Sequence, residues 1–173
     1  MCIRDSSKTS PATATYPEDL EKVQQTIKQF VRDWSSEGAQ ERDQCYGPIL
    51  KELQRAFPEP KDVKVLVPGA GLGRLAFDIA ALGYECQGNE FSMFMLIASN
   101  FVLNKCRFPH CFKIYPWIHQ FTNQLSSDNM TKEVRFPDLD PNSLPDDAKF
   151  SMTAGDFLEV YSGEEHVGSL VRY

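Results

Sequence analysis

The chain has 173 residues, of which 42% are hydrophobic, and a formal net charge of −6. This length and hydrophobic content suffice for one folded domain with a hydrophobic core. Lys and Arg are scattered singly along the sequence, so a nucleic-acid partner is disfavoured because no basic stripe would neutralise its phosphates. The longest apolar stretch, residues 94–103, is far shorter than the ~20 residues of a membrane span, which argues against membrane insertion.

The first 16 residues are polar and rich in Ser, Thr, Pro and Ala, which predicts a disordered leader. A helical segment is predicted over residues 17–60. Its first helix begins at Pro17, with acidic residues in the first turn, and ends near Gly38. Its second helix is predicted to run from Ala39 to Phe57.

A β-branched run over residues 65–68 is followed by a turn with three alternating glycines: Gly69, Gly71 and Gly73. Glycines in such a turn let the backbone bend sharply and approach a nucleotide-like ligand closely. A dinucleotide fingerprint has its last glycine three places after the second, where this chain has Arg74. The GxGxG spacing therefore favours S-adenosylmethionine over NAD, and the alternative is a tight turn without a ligand.

Two acidic residues follow the next two predicted strands. Glu90 lies 21 residues after Gly69, about where a nucleotide-binding α/β fold places a carboxylate that accepts from both ribose hydroxyls. Asp156 follows the third predicted strand, where it can accept from the adenine amino group while Phe157 flanks the ring. Taken singly, Glu90 also fits a solvated strand end, and Asp156 fits a turn residue or helix N-cap. Their order after the glycine turn favours cofactor binding.

About 45 residues separate the helix predicted over residues 91–104 from the third strand, and we expect an insertion at about 106–148. The segment Tyr115-Pro116-Trp117-Ile118-His119-Gln120-Phe121 lies within it and combines aromatic rings with polar tips. Such a segment suits a pocket for a flat heteroaromatic substrate, and the alternative is that it packs the insertion onto the domain. No catalytic residue is assigned, and His119 is the single candidate.

Five cysteines form an odd set without CxxC spacing: Cys2, Cys45, Cys86, Cys106 and Cys111. This pattern predicts a reducing cytoplasmic or nuclear location, because small disulfide-rich domains are typical of oxidising compartments. Cys106 and Cys111 flank His110, but no second cysteine pair is available to complete a zinc site. We therefore expect packing cysteines and no bound metal.

Together these segments resemble the carnosine N-methyltransferases, eukaryotic class I enzymes that use S-adenosylmethionine. The resemblance covers about residues 23–161. It is carried by QFVRDWSSEGAQERDQCYGPI (29–49), VLVPGAGLGRLAFDIAALGYECQGNEFSMFMLIASNFVLNKC (65–106), YPWIHQF (115–121) and FSMTAGDF (150–157). PGAGLGRLA and YPWIHQF are characteristic of that family, whereas GxGxG is shared by many methyltransferases.

The resemblance implies cofactor contacts at Gly69, Glu90, Asp156 and Phe157. Gly71 is a further candidate because of the spacing of the glycine turn. It adds Gln29 and Arg32 on the first helix, for which the residues alone equally allow a solvated face. Many methyltransferases also carry an acidic residue two places before the first glycine, where this chain has Val67. Arg32, Gln29 and loop carbonyls therefore become the candidates for binding the amino-acid end of the cofactor.

The same resemblance implies an α/β, Rossmann-like class I methyltransferase domain over residues 61–173, preceded by the N-terminal helices. It implies transfer of the sulfonium methyl group to an imidazole nitrogen of carnosine, giving anserine. The expected partner is thus a small dipeptide substrate, with no nucleic acid and no membrane, and a homodimer is the assembly left open.

A complete doubly wound sheet of this kind has about seven strands, of which three and part of a fourth are predicted here. Residues 164–173 do not resemble the apolar fourth strand of the family, so we expect an N-terminal fragment or truncated isoform that is inactive alone. Its dipeptide-binding residues are expected beyond Tyr173. Two alternatives remain: an NAD-dependent oxidoreductase, disfavoured by Arg74, and an inactive isoform that serves as a cofactor-fold binding or interaction module.

Overall fold

The computed structural model describes residues 17–120, 122 and 126–162, so the predicted leader and residues 164–173 lie outside the described part. The N-terminal elements are α1 (Pro17–Trp34), a 3-10 turn (Ser36–Gly38) and α2 (Ala39–Ala56). The sheet and its helices are β1 (Lys64–Pro68), α3 (Arg74–Ala81), β2 (Glu85–Glu90), α4 (Met93–Lys105), β5 (Phe150–Ala154) and α6 (Phe157–Tyr161). Between α4 and β5 lie β3 (Phe112–Ile114), α5 (Ser127–Met130) and β4 (Val134–Phe136).

Three parallel strands form the main sheet in the order β1-β2-β5. Val67 pairs with Gly88, and Gly88 pairs with Met152, so the three carboxyl ends lie at one edge. A Cβ on Gly88 would meet the Met152 sulfur and would lie 2.9 Å from Ala70 Cβ, which explains a glycine in the central strand. The predicted α/β, Rossmann-like architecture with helices around a parallel sheet is confirmed.

Helix α1 packs its last turn against the glycine turn that follows β1. The Trp34 side chain is fully buried, and its indole Nε1 donates to the Leu72 carbonyl over 3.1 Å. The Trp34 ring contacts Phe77 edge-on, with ring centroids 5.5 Å apart. This packing brings the residues just before Trp34 to the carboxyl edge of the sheet.

The segment between α4 and β5 contains two strands that the sequence analysis did not predict. β3 and β4 pair antiparallel, with Phe112 opposite Phe136. Phe136 also lies 4.7 Å from Phe30, measured between ring centroids, and Phe112 lies 4.9 Å from Phe101. Aromatic contacts therefore join this segment to α1 and α4.

Among the described residues, no helix has both the length and the apolarity to cross a membrane.

Candidate cofactor site

The glycine turn leaves space at its first two glycines. Gly69, Gly71 and Gly73 have φ angles of +62°, +57° and +80°, in the left-handed region that favours glycine. A Cβ on Gly69 would have no described atom within 4 Å, and one on Gly71 would have only Asp33 Oδ2, at 3.9 Å. A Cβ on Gly73 would instead meet three side chains at 3.4 Å: Leu103, Met152 and Ser99. The turn is thus open at Gly69 and Gly71 and closely packed at Gly73.

Glu90 joins the end of β2 to this turn. Its Oε2 accepts a hydrogen bond from the Gly71 amide over 2.8 Å. Its Oε1 accepts from the amides of Phe91 and Ser92, over 2.9 and 2.7 Å. A carboxylate has about four lone-pair sites, and three are used by these amides, so Glu90 keeps one for a hydroxyl group of a ligand. The side chain is half-buried at the sheet edge and lies directly beside the open part of the turn.

Asn89, which the sequence analysis did not single out, connects the loops that follow all three strands. Its carbonyl accepts from the Ala70 amide over 2.9 Å, and its side-chain Nδ2 donates to the Gly155 carbonyl over 3.1 Å. The Gly155 amide in turn donates to the Glu90 carbonyl over 3.0 Å. The sequence offered one indication of this role, namely an amide side chain near the end of a predicted strand. These bonds hold the glycine turn, Glu90 and the loop before Asp156 together.

Asp156 caps helix α6, as the N-cap alternative predicted. Its Oδ1 accepts from the amides of Leu158 and Glu159 over 2.8 and 3.3 Å, whereas Oδ2 takes part in neither bond. The Phe157 ring lies 5.2 Å from the Tyr161 ring, and Tyr161 donates to Gln87 Oε1 over 2.8 Å. This anchoring holds Phe157 beside the carboxyl edge. Capping and ligand binding are compatible at Asp156, since one carboxylate oxygen suffices for the cap.

Arg32 and Asp33 approach the glycine turn from α1. Arg32 Nε and Nη2 donate to Asp33 Oδ1 and Oδ2 over 2.8 and 3.3 Å, and their side chains are 38% and 1% exposed. Tyr46 also donates to Asp33 Oδ1, over 3.0 Å. Burial lowers the pKa of Arg32, but Asp33 more than offsets this and the pKa is raised. Arg32 therefore keeps its positive charge beside Asp33. The sequence analysis named Arg32 but missed Asp33.

Gln29 lies one turn before Asp33 on α1. Its Oε1 is buried without a hydrogen-bond partner among the described residues, as are His119 Nε2 and Gln120 Oε1. The Lys28 ammonium lies 5.7 Å from the centroid of the Trp117 ring. Trp117 therefore packs onto α1, in line with the packing alternative for this segment, and no contact in the described part of the chain links His119 to the glycine turn.

Two buried arginines hold this end of α1 in place. Arg74 donates to the Asp33 carbonyl over 2.9 Å and to Asp138 Oδ1 over 2.6 Å. Arg42 pairs with Asp138 Oδ2 and donates to the Arg32 carbonyl over 2.6 Å. Arg74 also bonds Asp78 and lies over the Trp34 ring. The residue at the third-glycine position of a dinucleotide fingerprint is thus a structural cation.

No cluster of three His, Cys, Asp or Glu side chains suited to a metal ion occurs in the described ranges. The four cysteines within those ranges are free thiols: Cys45, Cys86, Cys106 and Cys111. Cys86 and Cys106 are buried, and Cys45 is exposed.

Comparison with known proteins identifies a family over nearly the whole chain. Residues 9–171 match the family model described as carnosine N-methyltransferase. The chain is 57% identical to the mouse carnosine N-methyltransferase over 83% of this chain and 37% of that protein. It is 58% identical to the rat protein of that name, with the same coverage, and 48% identical to that of Schizosaccharomyces pombe over 84% of this chain and 40% of the relative. The chain spans about two fifths of the length of these curated relatives.

Proposed function

The chain belongs to the carnosine N-methyltransferase family, and on that premise we propose that the protein transfers a methyl group from S-adenosylmethionine to an imidazole nitrogen of carnosine, giving anserine. The observation that carries the proposal is the hydrogen bond between Gly71 and Glu90 at the carboxyl edge of a parallel sheet. This bond holds an open glycine turn and a carboxylate side by side, and that edge of a parallel sheet is where α/β folds bind nucleotides.

The residues at this edge fit the parts of S-adenosylmethionine. The open turn at Gly69 and Gly71 allows a close backbone approach. Glu90 is proposed to accept from the ribose hydroxyls: one meets the lone-pair site left free by the three amides, and the other shares an oxygen with an amide. Asp156 and Phe157 are proposed to contact the adenine amino group and ring. At the other end, the Arg32 guanidinium suits the methionine carboxylate, because Arg binds carboxylates in a bidentate manner.

Gln29 is proposed to contribute to the same end of the cofactor. Its Oε1 is buried and has no hydrogen-bond partner among the described residues. Buried polar atoms in proteins nearly always have a partner, so a ligand donor near Gln29 is a direct way to satisfy this oxygen.

When bound, the cofactor supplies a methyl group on a positively charged sulfur. A neutral imidazole nitrogen would take this methyl group by in-line displacement. S-adenosylhomocysteine would leave with the electron pair of the C–S bond, and the other ring nitrogen would lose its proton to solvent. Little acid–base chemistry is required, so the rate depends on aligning nitrogen, carbon and sulfur and on the imidazole tautomer. The described residues orient the donor. The proposal places the dipeptide site in the part of the relatives that this chain does not span.

The proposal is tested by incubating the full-length protein with methyl-labelled S-adenosylmethionine and carnosine, and identifying the product by mass spectrometry. We expect the label on the imidazole ring, in anserine. Free histidine and β-alanine, run separately, show whether the dipeptide is required. Label on the amino group, or no transfer to carnosine, would contradict the proposal. A parallel titration with NAD⁺ tests the oxidoreductase alternative, for which we expect no binding.

A further inference from the structure

Asp33 is a carboxylate in an unusual position. Its side chain is 1% exposed, whereas ionised side chains are almost never fully buried unless they are paired. Its two oxygens differ in their surroundings. Oδ1 accepts from Arg32 Nε at 2.8 Å and from the Tyr46 hydroxyl at 3.0 Å, while Oδ2 accepts from Arg32 Nη2 at the longer distance of 3.3 Å.

The less occupied oxygen of Asp33 is the one that faces the glycine turn. A Cβ built on Gly71 would have Asp33 Oδ2 as its nearest neighbour, at 3.9 Å. The Gly71 amide also donates to Glu90. Gly71 therefore has two carboxylates as neighbours, one at the end of β2 and one from α1. One carboxylate is enough to accept hydrogen bonds from the neutral ribose of a ligand. The second carboxylate adds negative charge beside the turn, which favours a positively charged group of the ligand.

From these contacts we propose that Asp33 binds the ammonium group of the methionine part of S-adenosylmethionine; this inference rests on the proposed function. The strand before the turn carries Val67 and Pro68, so it offers no side-chain carboxylate for that ammonium. Helix α1 supplies one from the opposite side. The neighbouring Arg32 is 38% exposed and can turn its guanidinium toward the methionine carboxylate. Adjacent residues of one helix then match both charges of the amino-acid group.

The alternative is that Asp33 only holds Arg32 and Tyr46 in place. A ligand pair separates the two roles. S-adenosylhomocysteine carries the ammonium group but no sulfonium charge, and methylthioadenosine keeps the adenosine and sulfur but lacks the amino-acid group. A binding role of Asp33 affects only the first ligand, whereas a distortion of the whole site affects both. A role limited to holding Arg32, which is proposed to bind the methionine carboxylate, also affects only the first ligand, and the position of the amino nitrogen in a crystal structure with S-adenosylhomocysteine separates it.

The experiment is calorimetric titration of the full-length protein and its Asp33→Asn variant with both ligands, with Asp43→Asn as matched control because Asp43 is exposed on α2. We expect Asp33→Asn to weaken S-adenosylhomocysteine by about tenfold or more and to leave methylthioadenosine unchanged. Asp43→Asn should change neither affinity. Equal loss for both ligands, or no loss for S-adenosylhomocysteine, would overturn the role of Asp33 but not the proposed function.

A second measurement does not depend on the folding of the variant. In a crystal structure of the wild-type protein with S-adenosylhomocysteine, we expect the amino nitrogen within hydrogen-bond distance of Asp33 Oδ2. An amino nitrogen bound elsewhere would overturn the inference. Failure of the wild-type protein to bind S-adenosylhomocysteine in either experiment would overturn the proposed function together with it.

Discussion

The Gly71 amide donates a hydrogen bond to Glu90 Oε2 over 2.8 Å, which joins the turn after β1 to the end of β2. Both residues were predicted to contact the cofactor, from separate motifs. Because Glu90 also accepts from the amides of Phe91 and Ser92, its carboxylate is held in one orientation. A rigid acceptor beside an open turn is the arrangement from which the following predictions start.

Replacing Gly71 by Val should abolish cofactor binding and leave the helical content nearly intact. The added side chain would fill space that the protein itself leaves open, since its nearest neighbour is 3.9 Å from the Cβ position. The positive φ adds a backbone cost of about 1 to 2 kcal/mol. Calorimetry with S-adenosylmethionine and far-ultraviolet circular dichroism measure the two effects. A variant that binds normally would show that the turn is only structural.

Replacing Gly88 by Ala should instead lower the stability of the fold. The new Cβ would meet the Met152 sulfur and lie 2.9 Å from Ala70 Cβ, in the middle of the sheet. Overpacking of this kind costs about 1 to 3 kcal/mol. Urea unfolding of the full-length variant should show this loss of stability. Unchanged stability would contradict the close packing of Gly88 against Met152 and Ala70.

Replacing Asp138 by Asn should destabilise the protein strongly, because Arg42 and Arg74 would each lose their shared buried carboxylate. Removal of one partner from a buried ion pair costs about 3 to 5 kcal/mol. Asp146→Asn serves as control, since Asp146 is exposed on the same segment. The readout is the free energy of unfolding in urea. Equal stability of the two variants would refute the role of the Asp138 side chain in holding the insertion to α2 and α3.

Cys86 and Cys106 should resist alkylation at pH 8 in the folded protein. Burial raises the pKa of the Cys86 thiol to about 12, and burial with a contribution from Cys111 raises that of Cys106 to about 12. The reactive thiolate is therefore nearly absent from both at pH 8. Cys45 is exposed and should react. Iodoacetamide labelling followed by peptide mass spectrometry gives the rates, and equal labelling of Cys45 and Cys86 would contradict the described packing.

Helices α1, α2 and α4 and the three parallel strands were predictable because their signals are local. Apolar spacing and first-turn residues marked α1, and alternating glycines after a β-branched run marked the end of β1. β3 and β4 have three residues each, too few for a periodic pattern, and depend on pairing between Phe112 and Phe136. The prediction of a disordered leader falls outside the described residues.

Parts of the site were missed because their roles depend on residues far apart in sequence. The Asp33 carbonyl accepts from Arg74, 41 residues away, and Arg42 pairs with Asp138 across 96 residues. Neither pair has a characteristic spacing, since the fold alone brings the partners together. Asn89 was overlooked because a polar residue in a strand ordinarily indicates a solvated face, whereas here it is buried and bonded to the neighbouring loop.

The most direct measurement is the affinity of the full-length protein for S-adenosylmethionine, compared between wild type, Glu90→Ala and Glu85→Ala by calorimetry. Glu85 lies at the other end of β2 and pairs with Lys64 and Lys149, so its loss should leave the affinity unchanged. Loss of Glu90 removes the acceptor proposed for two ribose hydroxyls and should weaken binding by about 1 to 3 kcal/mol. Wild-type affinity in Glu90→Ala, or an equal loss in both variants, would contradict the assignment of this edge as the cofactor site.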